Sequence, residues 1–150
     1  MLTDKRIYLL PAEQIVLFWE AIKFACKQAD EVNKEDYGRY FNELLQASLS
    51  KKAQCFVVLD QAKVLHNIAI TRLTTDKVLQ RKELFLQCLY SMSIMSEIQL
   101  REYFNFIAEF AKQEKCSTIV FNSRNYRVWE LAKLVGISER YRSFEYRIGG

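Results

Sequence analysis

The chain has 150 residues, half of them hydrophobic and 13% aromatic, with one proline and four glycines. That length suits one domain with a substantial core, and that composition excludes disordered and low-complexity classes. The net charge of +4 is uneven: residues 1–50 carry 6 basic and 8 acidic groups, residues 51–100 carry 7 and 4, and residues 101–150 carry 9 and 6, a mild bias toward a polyanionic partner without any block of like charge.

Residues 7–10 read as a short strand stopped by Pro11, which also suits a helix start. From 12 to 32, apolar residues recur at Ile15, Phe18, Trp19, Ile22, Cys26 and Ala29, the spacing of one buried helical stripe. Asp36 can cap a second helix with Tyr37, Tyr40, Phe41, Leu44, Leu45 and Leu49 inward. The period then changes to that of strands. Residues 54–59 and 64–73 flank the turn Asp60-Gln61-Ala62-Lys63 as a hairpin, and residues 82–90 make a further strand. Ser96 and Gln99 have the spacing of a capping box, which opens a long helix with Ile98, Phe104, Ile107, Ala108 and Ala111 inward. Residues 117–121 form a compact β-branched strand. Residues 126–135 form a helix ended by Gly136, where a positive φ is needed, and residues 141–148 form a last strand. The order β-α-α-β-β-β-α-β-α-β predicts a single α/β domain over residues 1–150, a mixed, twisted sheet of about six strands flanked by four helices.

Cys26, Cys55, Cys88 and Cys116 are widely spaced, with no C-x-x-C. The single histidine, His66, completes no zinc-ligand motif with them, so no metal site is expected. Reduced cysteines in apolar runs act as small core residues. The amino terminus lacks a secretory signal pattern and no apolar run has membrane-spanning length, so a reducing, cytoplasmic setting is expected.

The residues from 125 to 137, N-Y-R-V-W-E-L-A-K-L-V-G-I, carry the most specific signal. Asn125, Val128, Leu131 and Gly136-Ile137 follow without a gap the pattern N-x-x-A-x-x-L-Y-x-x-x-G-F. With the element order around it, this resembles the GNAT-type acyl-CoA N-acyltransferase family over nearly the whole chain. The resemblance implies acetyl transfer from acetyl-CoA to an amine. It also marks departures. The family's tyrosine, a frequent general acid for the departing thiolate, is Ala132. The family's glycine-rich pyrophosphate loop falls on Met95-Ser96-Glu97-Ile98-Gln99-Leu100, which has no glycine and no basic residue. Glu97 there places a negative charge beside two phosphates. Weak or lost activity follows. The resemblance extends to short GNAT-like proteins encoded by bacteriophages, including the A-K-x-x-x-C turn from Ala111 to Cys116, and implies as the alternative a non-enzymatic interaction, virion or assembly role with a protein partner or an oligomer.

By the same resemblance, Leu89 and Tyr90 bind the donor's pantetheine arm through backbone groups, with Ser96 and Asn125 as further acetyl-CoA contacts. Tyr90 is the candidate general acid and Glu83 a candidate amine base. Asp60 and His66 are the other bases on the central strands, and Cys88 is a candidate nucleophile better read as a core thiol. Tyr37, Tyr40 and Phe41 suit core packing, an interface or a substrate groove equally. The basic and aromatic tail, residues 140–147, has the residue types of a single-strand nucleic-acid surface, but Glu139 and Glu145 blunt its field, and an ordinary last strand is the expectation.

Overall fold

The computed structural model describes residues 5–30, 32–122, 130, 132–140 and 144–149. Strand β1 (Arg6–Leu9) leads into helices α1 (Trp19–Ala29) and α2 (Tyr37–Leu49). Strands β2 (Ala53–Leu59), β3 (Leu65–Thr75) and β4 (Lys82–Ser91) follow, then helix α3 (Glu97–Gln113) and strand β5 (Thr118–Phe121). The five strands form one sheet in the order β1-β2-β3-β4-β5. The first four pair antiparallel and β4 pairs parallel to β5. The parallel pair needs a crossover, and α3 supplies it.

Alternation along β2 explains the two cores. Cys55 and Val57 join Ile68, Ile70 and Cys88 against Ile22, Cys26 and Leu44 of α1 and α2. Phe56 and Val58 join Ala69, Leu84 and Leu86 against Tyr103, Ile107 and Ala111 of α3. A strand covered on both faces reads as a continuous apolar run rather than an alternation, and residues 53–58 are all buried. Asn67 and Thr71 are buried within β3. Thr71 donates to Gln54 at 2.9 Å, and Asn67 donates through Nδ2 to Ser91 Oγ at 2.6 Å.

The capping box is present: Ser96 Oγ accepts from the Gln99 N–H at 3.1 Å, and Gln99 Oε1 accepts from the Ser96 N–H at 3.0 Å. Gly136 has φ +82. The Ile137 N–H donates to Ala132 O, and the Gly136 N–H to Lys133 O, the paired bonds of a glycine-closed helix end. Three details differ from the sequence expectation. Residues 12–18 form two 3-10 turns before α1 rather than α-helix. Asp36 takes the cap position of α2 but makes no side-chain cap bond. On α3, Ile98 is exposed and Tyr103 is buried, its hydroxyl donating to Phe56 O at 3.0 Å.

Of the expected helix at 126–135, the described part is helical at Glu130 and at residues 132–134. Of the expected last strand, residues 144–148 lie in no strand and are exposed. The strand pattern is present there, but residues 144–148 pair with no strand among the described residues.

Candidate active site

The site starts from a register fault in β4. Ile70 of β3 faces Cys88, while its neighbour Thr71 faces Leu86, so Gln87 is an extra residue on β4. Such a bulge twists a strand away from its neighbour. On the other side, β4 pairs with β5 only from Glu83–Thr118 to Leu86–Phe121. Beyond the bulge, residues 87–91 have no strand partner on that edge among the described residues. Peptide groups at the carboxyl end of a parallel pair, beside a crossover, are left open to a ligand, and this is where open α/β sheets bind one.

A chain of polar contacts fixes the bulge. Gln87 Nε2 donates to the Tyr40 hydroxyl at 2.7 Å, and the Tyr40 hydroxyl donates to Asp30 at 2.6 Å. Gln87 Oε1 accepts from Arg72 Nε. The Arg72 guanidinium then donates two bonds to the Glu43 carboxylate, at 2.6 and 2.7 Å, a bidentate pair. Arg72 holds the Glu43 carboxyl below its ordinary range, and burial with the neighbouring Cys26 and Asp30 pushes the Tyr40 hydroxyl far above its own. Tyr40 therefore stays a neutral donor that ties α1 and α2 to the bulge.

The site residues expected from sequence are partly brought together. Leu89 and Tyr90 lie on the open edge. Tyr90 is half-buried and meets Phe24 of α1 edge-on, ring centroids 5.6 Å apart. Glu83 is on the same strand but seven residues away, roughly 20 Å at strand rise. It is buried, accepts from Thr118 Oγ1 at 2.8 Å and is ion-paired with Arg140. The fold thus commits Glu83 to the β4–β5 junction and does not bring it to Tyr90. Cys88 is 2% exposed. A hydrogen bond with Cys26 and burial push its thiol far above the ordinary range, so it stays a protonated core thiol. Asn125 lies outside the described residues.

Ser96 sits at the amino end of α3, where helix donors and dipole favour an anion. Its hydroxyl is spent on the cap. Glu97 adds a carboxylate, bonded by Arg101 Nη2 at 2.9 Å. Arg101 also donates to Leu134 O, which joins α3 to the helical turn that carries Ala132. The end of α3 is capped by its own side chains, and the fit to a pyrophosphate is poor.

Two further clusters are present. Asp60 and His66 meet at 2.9 Å. Trp19, Lys23, Lys27, Tyr37, Phe41 and Leu45 line an open groove of about 370 Å³ between α1 and α2, with the Lys27 ammonium 4.8 Å from the Tyr37 ring centre. Phe41 itself is core, and Tyr40 is occupied by the bulge. Among the described residues, no helix is long and apolar enough to cross a membrane, and no group of three His, Cys, Asp or Glu is placed to hold a metal ion.

No protein-family model matches the sequence, and no curated protein matches it significantly. Solved structures do. An acetyltransferase from Clostridium acetobutylicum, described as predicted and solved with acetyl-CoA, superposes with a TM-score of 0.74 at 10% identity, over 95% of this chain and 96% of that one. An aminoglycoside N-acetyltransferase, AAC(6')-Iy, in complex with a CoA bisubstrate analog, gives 0.71 at 15% identity over 96% and 97%. Ribosomal-protein-alanine N-acetyltransferase from Brucella melitensis biovar Abortus 2308 gives 0.68 at 17% identity over 97% and 99%. The chain has the GNAT acetyltransferase fold. Within that fold the β4 edge beyond Leu86 is open among the described residues, and residues 95–100, at the start of α3, contain no glycine. Sequence reading missed Gln87, Arg72 and the bulge they define. The one signal was a glutamine inside the apolar run Leu84-Phe85-Leu86-Gln87-Cys88-Leu89.

Proposed function

We propose that the protein binds the thioester arm of acetyl-CoA along the open edge of β4 and transfers the acetyl group slowly to an amine. The observation that carries this reading is the stretch of residues 87–91, which among the described residues has no strand partner on the β5 side. Peptide groups of Leu89 and Tyr90 would pair with the amides of the arm, which requires no particular side chain. The amine nitrogen attacks the acyl carbon and the C–S bond breaks. Tyr90 gives its proton to the leaving thiolate, in place of the tyrosine missing at Ala132, and the amine's proton leaves to solvent, since Glu83 is out of reach. Ser96 and Asn125 contribute only secondary contacts to the donor. Activity is weak because the Glu97 carboxylate and the lack of glycine at the start of α3 leave the phosphates poorly held. Calorimetric titration of acetyl-CoA at low salt is expected to give a dissociation constant of roughly 0.1–1 mM. Tyr90→Phe is expected to keep that affinity and slow acetyl transfer about a hundredfold. Absence of binding at millimolar ligand removes this reading.

A second reading, a non-enzymatic interaction or assembly role such as a virion component, is favoured by Phe144, Tyr146 and Ile148, each at least 89% exposed. Such residues belong at interfaces rather than in water. Light scattering is expected to show a dimer or larger oligomer that Phe144→Ser/Tyr146→Ser returns to monomer. A monomer at every concentration counts against an oligomeric role.

A further inference from the structure

Three side chains just past the end of β4 form a connected relay. Asp60, in the β2–β3 turn, is fixed by its own backbone: Oδ1 accepts the N–H groups of Ala62 at 2.8 Å and Val64 at 3.0 Å. This leaves Oδ2 facing His66 Nε2 at 2.9 Å. His66 is the extra residue where the β2–β3 register slips, since Val58 faces Asn67 and Leu59 faces Leu65, and bulges re-aim side chains in this way. Its other nitrogen, Nδ1, lies 2.9 Å from Ser93 Oγ.

The tautomer follows from the partners. A carboxylate only accepts, so Nε2 carries a hydrogen, and in the neutral ring Nδ1 is then the acceptor. With the neutral ring, the Ser93 hydroxyl donates its hydrogen to His66 Nδ1. In that arrangement Asp60 orients the ring, His66 is placed as the base, and Ser93 is the hydroxyl beside it. These are the three roles of a nucleophilic triad, with the two ring nitrogens exchanged. Ser93 is half-buried, on the loop that joins the end of β4 to α3.

A tie between two loops would need no more than these bonds, but the surroundings supply more. His66, Asn67, Met95, Gln99 and Tyr103 line a cavity of about 30 Å³. Asn67 is fully buried, and its Oδ1 has no hydrogen-bond donor among the described residues. The cavity is of about the size of one water, and a buried acceptor calls for a partner.

We propose that Ser93 is the nucleophile of a Ser93–His66–Asp60 triad that cleaves small activated acyl esters or thioesters. The Ser93 Oγ–acyl carbon bond forms as the donor's C–O or C–S bond breaks. The Ser93 proton passes to His66 Nδ1 and from there to the leaving alcohol or thiol. A water molecule then attacks the acyl-serine and gives its proton to His66. The carboxylic acid leaves and Ser93 recovers its hydrogen. The reaction needs neither CoA phosphates nor an amine, so it stands apart from the acetyl-transfer reading.

The test is labelling of the full chain with a small fluorophosphonate, followed by intact mass and peptide mapping. One adduct per chain is expected, on Ser93. Ser93→Ala removes it, and His66→Asn and Asp60→Asn each slow it about a hundredfold or more in proteins whose circular dichroism is unchanged. No adduct on Ser93, or unchanged labelling in a folded His66→Asn, overturns the proposal and leaves a structural tie. Ser93→Cys covers the case in which His66→Asn does not fold. Iodoacetamide at neutral pH should then modify the introduced thiol well ahead of the half-exposed Cys116 in the same sample, and equal rates overturn the proposal.

Discussion

Phe56→Ala is expected to lower the unfolding free energy by about 3–5 kcal/mol, the range for emptying a large aromatic site in a packed core. Phe56 is 0% exposed in the middle of β2. It meets Phe106 and Phe110 of α3 edge-on, with ring centroids 6.0 and 5.5 Å apart. The peptide carbonyl of the same residue accepts the buried Tyr103 hydroxyl. Removing the ring therefore loosens α3 from the sheet as well as leaving a cavity. For a chain of this size, the loss corresponds to a fall of roughly 10 °C in melting temperature. Thermal unfolding followed by circular dichroism checks it. A fall of only a degree or two would mean that α3 does not depend on this contact.

Glu97→Lys is expected to tighten acetyl-CoA binding about tenfold at low salt. The substitution removes a carboxylate from the amino end of α3 and places a cation where the donor's phosphates would approach. The gain should shrink as salt is added, because exposed charges are screened over about 10 Å at 0.1 M. The variant also loses the Glu97–Arg101 pair, in which both side chains are half-exposed, and it puts a positive charge at the positive end of a helix. The stability cost is small, about 0.5 kcal/mol. Calorimetric titration of both proteins at two salt concentrations decides the point. Equal affinities would mean that the phosphates bind elsewhere or that the donor is not a CoA ester.

Much of the architecture was legible because each element carried a local cause. The apolar period of residues 12–32 and 37–49 marked two helices, and the β-branched runs marked the strands. Ser96 and Gln99 announced the cap of α3, and Gly136 its turn to positive φ. Where local cause was weak, reading and structure part. Pro11 suits a helix start, yet the backbone tightens into 3-10 turns before α1. Ile98 and Tyr103 exchange exposed and buried places because the inward face of α3 is set by where Phe56 stands, not by α3 itself. Residues 141–148 alternate like a strand, but the described part of them has no paired edge.

The candidate sites divide in the same way. The sequence by itself determined what the α3 end lacks: no glycine, no basic residue from Met95 to Leu100, and an alanine at position 132. Composition is enough for that, because the absence of a side chain does not depend on the fold. It also placed Leu89 and Tyr90 on the strand that ends at the opening. Only the tertiary structure decided where that opening begins, because the slip that sets Gln87 apart arises from pairing with β3. Only the fold could commit Glu83 to Arg140, 57 residues away, and bring Ser93 to His66, 27 residues away. Strand register and loop packing create those contacts, and neither leaves a period in the chain that a reader of the sequence can count.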